Sequence, residues 1–192
     1  MARVALGPDA VVAEAAKLAG AEGLEAVSLK RLAESLGVRP PSLYAHVGGI
    51  DDVLLRVGRR GLTELATALG RAVEGRSGFE ALQALAAAYR GFARQHPGVY
   101  AAAQRSQALA HDPDSQAAGE AVLRVALAVM RGYDLDGDDA VHGVRLVRVA
   151  LHGFSSLEAA GGFAMTQSVD ETYERLVALL DLGLRTSRPL PV

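Results

Sequence analysis

The chain has 192 residues, half of them hydrophobic, with no cysteine, no tryptophan and a formal net charge of −2. Core material is ample and long helices are favoured, while disulfides, thiol catalysis and cysteine-ligated metal are excluded. Every stretch of about 18 residues contains charge, and the start lacks a basic-then-apolar leader pattern, so a cytoplasmic setting without membrane or secretory signal is expected.

Residues 8–22 read as a first helix, with Val11, Val12, Ala15, Ala16 and Leu18 turned inward and Gly23 as its stop. Ser28 is a good N-cap for a second, because its hydroxyl can accept a first-turn amide proton. Leu29, Leu32, Ala33 and Leu36 give that helix one apolar face, and Gly37 ends it by entering the left-handed region at no steric cost. Val38 fills the corner, and Pro40-Pro41 brings preset φ angles to a third helix. This is a helix-turn-helix pattern.

At about 100° per residue, Leu43 and Val47 of the third helix point toward Leu32 and Leu36. Pro41, Ser42 and Ala45 point the opposite way, with Tyr44 and His46 on the flanks. An outward face so poor in charge suits a helix laid into the major groove of DNA. There Ser42 suits a base edge, the Pro41 ring and Ala45 methyl suit a thymine methyl, and Lys30 and Arg39 suit guanine or phosphate. Tyr44 and His46 are better placed for the DNA backbone. With Ser28, these residues make the candidate DNA-binding set.

Gly37-Val38, Ser42-Leu43-Tyr44, His46-Val47 and the acidic helix start that follows resemble the N-terminal domain of TetR-type (tetracycline-repressor-like) transcriptional regulators. Ala15, Ala16, Leu18 and Gly23 match the first helix and turn of that family, so the likeness spans roughly the first 60 residues. One position departs: Gly48-Gly49-Ile50 stands where the family usually carries a lysine, so one phosphate contact is not carried over. Residues 1–60 hold eight basic and seven acidic side chains. Affinity for DNA therefore has to come from two copies on one duplex, with strong salt dependence.

Asp51 reads as the cap of a fourth helix, 51–74, joining two domains. Ser77-Gly78-Phe79-Glu80 is a capping-box pattern opening a fifth helix, which His96-Pro97-Gly98 ends. A short helix over Val99–Ser106 follows. Asp112-Pro113 starts another, reaching Arg131, and 133–139 reads as a loop. The eighth helix covers 138–158 and stops before Gly161-Gly162; a second capping box, Ser168 to Glu171, opens a last helix to Arg185. The fold class is all-α with about nine helices. A three-helix helix-turn-helix domain, 1–50, precedes a C-terminal helical bundle, 51–192, for dimerisation and ligand binding.

In that bundle Leu151-His152-Gly153-Phe154 and the residues to Phe163 resemble a C-terminal type of the same family marked by a Trp-His-Gly triplet, with Leu151 at the tryptophan position. Leu151, Phe154, Leu157, Tyr173, Leu176, Val177, Leu180 and Leu184 are the candidate dimer interface, in a four-helix arrangement of the last two helices and their copies. Tyr89, Phe92, Tyr100, Gln104, Gln107, Arg145, Val149 and His152 are candidates for lining an effector cavity.

Enzyme signatures are missing. There is no Gly-x-Ser-x-Gly elbow, phosphate-cradling glycine loop or His-Glu-x-x-His, and 134–139 lacks the spacing of a calcium loop. Neither cofactor nor metal is expected. The chain reads as a ligand-responsive DNA-binding repressor, its expected partners being double-stranded DNA with an inverted repeat, a small-molecule effector and a second copy. Alternatives are a constitutive DNA-binding factor without inducer, or an all-helical enzyme.

Overall fold

The computed structural model describes residues 6–105 and 109–186. Among them are nine α-helices and no strand. They are α1 (Pro8–Glu22), α2 (Leu29–Leu36), α3 (Pro40–Leu43), α4 (Ile50–Val73), α5 (Gly78–Gln95), α6 (Pro97–Ala103), α7 (Pro113–Arg131), α8 (Gly137–Ala159) and α9 (Val169–Thr186). A short 3₁₀ turn over Leu24–Ala26, not anticipated from the sequence, lies between α1 and α2.

Most helix boundaries follow from local chemistry. Gly23, at φ 89°, closes α1 with its N–H on the Ala19 carbonyl at 3.0 Å. Asp112 caps α7: its Oδ2 accepts the Ser115 amide at 2.9 Å and the Ser115 hydroxyl at 2.5 Å. Ser168 likewise accepts the Glu171 amide at 3.2 Å, but Glu171 turns to Arg175 at 2.7 Å. The start of α4 corrects one expectation. The helix begins at Ile50, so Asp51 already lies inside the first turn, and Asp52 reaches back to the Gly48 amide at 2.8 Å. Both carboxylates still favour the positive end of the helix dipole.

The chain divides into two compact units, one made of residues up to 64 with 96–119, the other of 65–95 with residues from 120 on. In the first, α1, α2 and α3 enclose Val11, Ala15, Leu32, Ala33 and Leu43, all buried. The short α6 packs into the same unit almost backbone to backbone. A Cβ added at Gly61 would sit 2.6 Å from the Val99 carbonyl oxygen, and one at Gly58 2.8 Å from that of Ala102. On the other side of α6, a Cβ at Gly98 would land on the Ala19–Gly20 peptide.

In the second unit α5, α8 and α9 bury Leu82, Leu85, Tyr89, Phe92, Val147, Leu151, Phe154, Tyr173, Val177 and Leu184. A polar knot ties the three helices. Arg90 of α5 meets Glu158 of α8 at 2.5 and 2.9 Å and Asp170 of α9 at 2.7 Å. Its guanidinium also lies 4.8 Å from the Tyr173 ring centre and 5.4 Å from that of Phe154. Arg90 is largely buried, so its charge needs these partners. The Glu158 hydrogen bond, ahead of the cost of burial, holds Arg90 further above its already high range, and Arg90 in turn lowers Glu158. Tyr173 donates its hydroxyl to the Ala86 carbonyl at 2.7 Å, and burial pushes that phenol up.

The glycine contacts predict opposite outcomes for one kind of substitution. Gly61→Ala has to push α6 aside, so stability should fall by about 1–3 kcal/mol. Gly91→Ala in α5 meets open space and should raise it by up to about 1 kcal/mol. Urea unfolding midpoints of the two variants check both signs.

Candidate functional site

The reading helix is short, and its placement comes from its neighbours. The Ser28 hydroxyl accepts the Arg31 amide at 3.3 Å and fixes the start of α2. At the other end Gly37 adopts φ 67°, ψ 33°; its N–H reaches the Glu34 carbonyl at 3.2 Å and the Val38 N–H reaches that of Ala33 at 2.9 Å. That pair of bonds is a Schellman turn. The chain then re-enters a helix at Pro40, and the His46 and Val47 amides continue its winding by bonding the Leu43 carbonyl.

Leu43 is 0% exposed and Val47 is buried, so the opposite face of this segment must point outward. Arg39, Pro40, Pro41, Ser42, Tyr44 and Ala45 are exposed, Tyr44 at 63%, and His46 is partly buried. Lys30 is exposed near the start of α2 and only loosely paired, 4.0 Å from Glu34. Ser28 is partly buried, with its hydroxyl oxygen engaged as a cap.

The neighbouring cations are occupied. Arg31 forms a two-pronged pair with Glu22 at 2.6 and 2.7 Å, and that bond lowers Glu22. Arg56 is held by Asp52 at 2.8 Å, Arg60 by Glu64 at 2.6 Å, and Arg59 by Asp114. Arg39 forms no ion pair among the described residues. The surface offered by α3 therefore has a small apolar centre, hydroxyls at its edges and one available guanidinium. This is a helix-turn-helix built to enter a groove.

Comparison with known proteins agrees. The profile for bacterial regulatory proteins of the tetR family matches residues 11–57, and that for the tetracyclin repressor-like C-terminal domain matches 82–180. The uncharacterised HTH-type transcriptional regulator Rv0681 of Mycobacterium tuberculosis is 35% identical over 81% of this chain and 72% of its own. YobS of Bacillus subtilis, described in the same terms, is 34% identical over 88% of each. A protein of unknown function from Rhodococcus sp. RHA1 superposes with a TM-score of 0.77 at 25% identity, covering 95% of this chain and 98% of that one. Apo ActR from Streptomyces coelicolor shares the fold, with a TM-score of 0.72 at 22% identity over 96% of both chains. The chain belongs to the TetR family of DNA-binding transcriptional regulators.

The candidates in the C-terminal half separate by burial. Of the expected interface, Leu151 (1% exposed), Phe154, Tyr173, Val177 and Leu184 are buried within one chain, so they complete its own core and cannot form an outer face. Leu176 and Leu180 are partly covered and Leu157 is exposed. The large apolar side chains left outside are Val141, Leu146, Val149 and Leu157 on α8 and Leu179 and Leu182 on α9.

Of the expected effector residues, Tyr89, Phe92 and Tyr100 are buried and Gln104 is partly buried. Tyr100 and Gln104 belong to the first unit, Tyr89 and Phe92 to the second. Val149, 71% exposed, and Arg145, also exposed, point away from the interior, which corrects their assignment to a cavity. Gln107 lies outside the described residues. His152 is partly buried, and burial, with Arg148 adding to it, holds its imidazole below the usual range. An open groove of about 730 Å³ runs between α5 and α9, lined by Ala87, Arg90, Arg94, Asp170, Tyr173 and Glu174 among others. Sequence reasoning gave Tyr173 to the dimer interface and no role to the charged groups of this groove, since the two helices lie far apart in the chain. Among the described residues no group of three or more His, Cys, Asp or Glu is arranged to hold a metal ion, and no helix is long and apolar enough to cross a membrane.

The left-handed corner gives a direct check. Gly37→Ala should cost about 1–2 kcal/mol of stability, and Gly37→Asn clearly less, because asparagine tolerates that backbone region. Thermal unfolding of the two variants distinguishes a strained corner from a merely solvated one.

Proposed function

We propose that this regulator is a homodimeric repressor that binds an inverted-repeat operator and is released by a small molecule. The observation that carries the reading is the outward face of α3, held by buried Leu43 and left bare at Pro41, Ser42 and Ala45. Arg39 and Lys30 take guanine or phosphate oxygens, Ser42 a base edge, and Tyr44 and His46 the DNA backbone; Ser28 sets the start of α2. Residues 1–50 act as the reading head and 51–192 as the effector and dimerisation part.

The dimer rests on the second face of α8 and α9. Leu146, Val149, Gly153 and Leu157 share one arc of α8, and Leu176, Leu179 and Gly183 share one arc of α9. A Cβ at Gly153 or Gly183 meets nothing within 4 Å in one chain, so a partner's helices can approach closely there. Two copies joined by a two-fold axis present two reading helices about one turn of DNA apart.

Effector control is supported by the family and by ActR of Streptomyces coelicolor, a TetR family protein of similar fold solved in complex with (S)-DNPA. α4 is one unbroken helix from Ile50 to Val73, so displacement of its far end alters the spacing of the heads. By linkage, a releasing ligand binds the DNA-free form more tightly.

Footprinting on DNA flanking the protein's own gene tests operator binding. Within a protected site, Tyr44→Ala should weaken all sequences about equally, while Arg39→Ala should relax preference at one position by about 1–3 kcal/mol. Uniform loss for both overturns the division of roles. Leu179→Glu should leave the fold intact and halve the sedimenting mass, whereas Leu151→Glu should unfold the chain by burying a charge. A Leu179→Glu protein that still sediments as a dimer places the interface elsewhere.

A further inference from the structure

The reading face is unusual in what it withholds. Pro40 and Pro41 carry no amide proton, and the Ser42 amide is engaged by the Arg39 carbonyl at 2.9 Å. The first turn of α3 thus offers DNA no free backbone donor. Pro41 and Ala45 lie four residues apart on the outward side, opposite Leu43, and both are exposed. Neither side chain has a polar atom. At the centre of the face nothing can bond the N7 and O6 acceptors of guanine or the amino group of cytosine. Pressing an apolar surface onto those edges strips their water without replacement. A thymine instead presents its 5-methyl group in the same groove.

Resting on the operator-binding reading above, we propose that Pro41 and Ala45 read thymine methyl groups, so each operator half-site carries thymines beneath them. Spacing gives the pattern. Four residues of helix rise about 6 Å, and base pairs are stacked about 3.4 Å apart, so the two methyls lie about two steps from one another. Ser42 and Tyr44, on either side, bring hydroxyls to the edges of this strip, and Arg39 brings a guanidinium that forms no ion pair among the described residues.

The full-length protein is used to select duplexes from a random-sequence pool, and the enriched site is rebuilt with deoxyuridine replacing each thymine in turn, which removes only the methyl. Anisotropy titration should show about fourfold weaker binding per methyl lost at the two positions, the worth of one buried carbon, and no change at thymines elsewhere. Ala45→Gly should bring the thymine-to-uracil ratio at one position near unity, and Pro41→Ser that at the other. Each variant is judged by its own ratio, so a loss of stability common to both duplexes cancels. An enriched site with G·C pairs at both positions, or equal binding of thymine and uracil duplexes by the unaltered protein, overturns methyl reading and leaves operator binding intact. A pool that yields no enriched sequence overturns both.

Discussion

Burial of Leu43 against α2 is the contact on which the reading surface depends. An isolated helix of one turn does not persist in water, because nucleation costs more than so few hydrogen bonds return. Leu43, with Val47 one turn on, supplies the missing stability by entering the core beside Leu32 and Ala33. Gly37 sets the angle at which that entry is possible, and the two prolines pre-set the first turn. With the inner face so engaged, every residue on the outer face is free to be chosen for what it meets in the groove.

The rest of the first unit keeps that arrangement stiff. α6 lies against α1 and α4 with glycine at the points of closest approach, so backbones meet with no side chain between them. Such contacts leave little room for adjustment, since interiors pack at the density of organic crystals. The second unit is braced differently. Arg90 gathers carboxylates from α8 and α9 while its planar cation rests against two aromatic rings. Removal of either carboxylate leaves part of a mostly buried charge unmet, which is where the strength of such a knot lies.

Local chemistry was legible in the sequence. Caps at Ser28, Asp112 and Ser168 and stops at Gly23 and Gly37 are decided by neighbours within a few residues, and the structure bears them out. The exposed face of α3 could be read because Leu43 and Val47 fix its phase. What escaped depends on distant partners. Gly58 and Gly61 look like ordinary helix glycines until α6 is laid against them, and Gly98 looks like part of a stop until α1 is laid against it; nothing in the chain announces that Arg90 meets a residue 68 positions away. The face of α8 was misassigned for a related reason. It carries apolar side chains on two arcs, and periodicity cannot say which arc serves its own core; the structure gives that arc to Leu151 and Phe154 and leaves Leu146 and Val149 outside.

The ion pairs at Arg31, Arg56, Arg59 and Arg60 have a consequence for how such a molecule is switched on in a cell. Guanidinium groups already satisfied by their own chain contribute little long-range pull on a polyanion, so a lone copy lacks the grip to scan or linger. With two copies on one operator, as proposed above, occupancy of a site at low abundance climbs with roughly the square of the number of chains present. On that proposal a modest change in synthesis or degradation rate shifts occupancy steeply, and the protein's abundance is itself a control input.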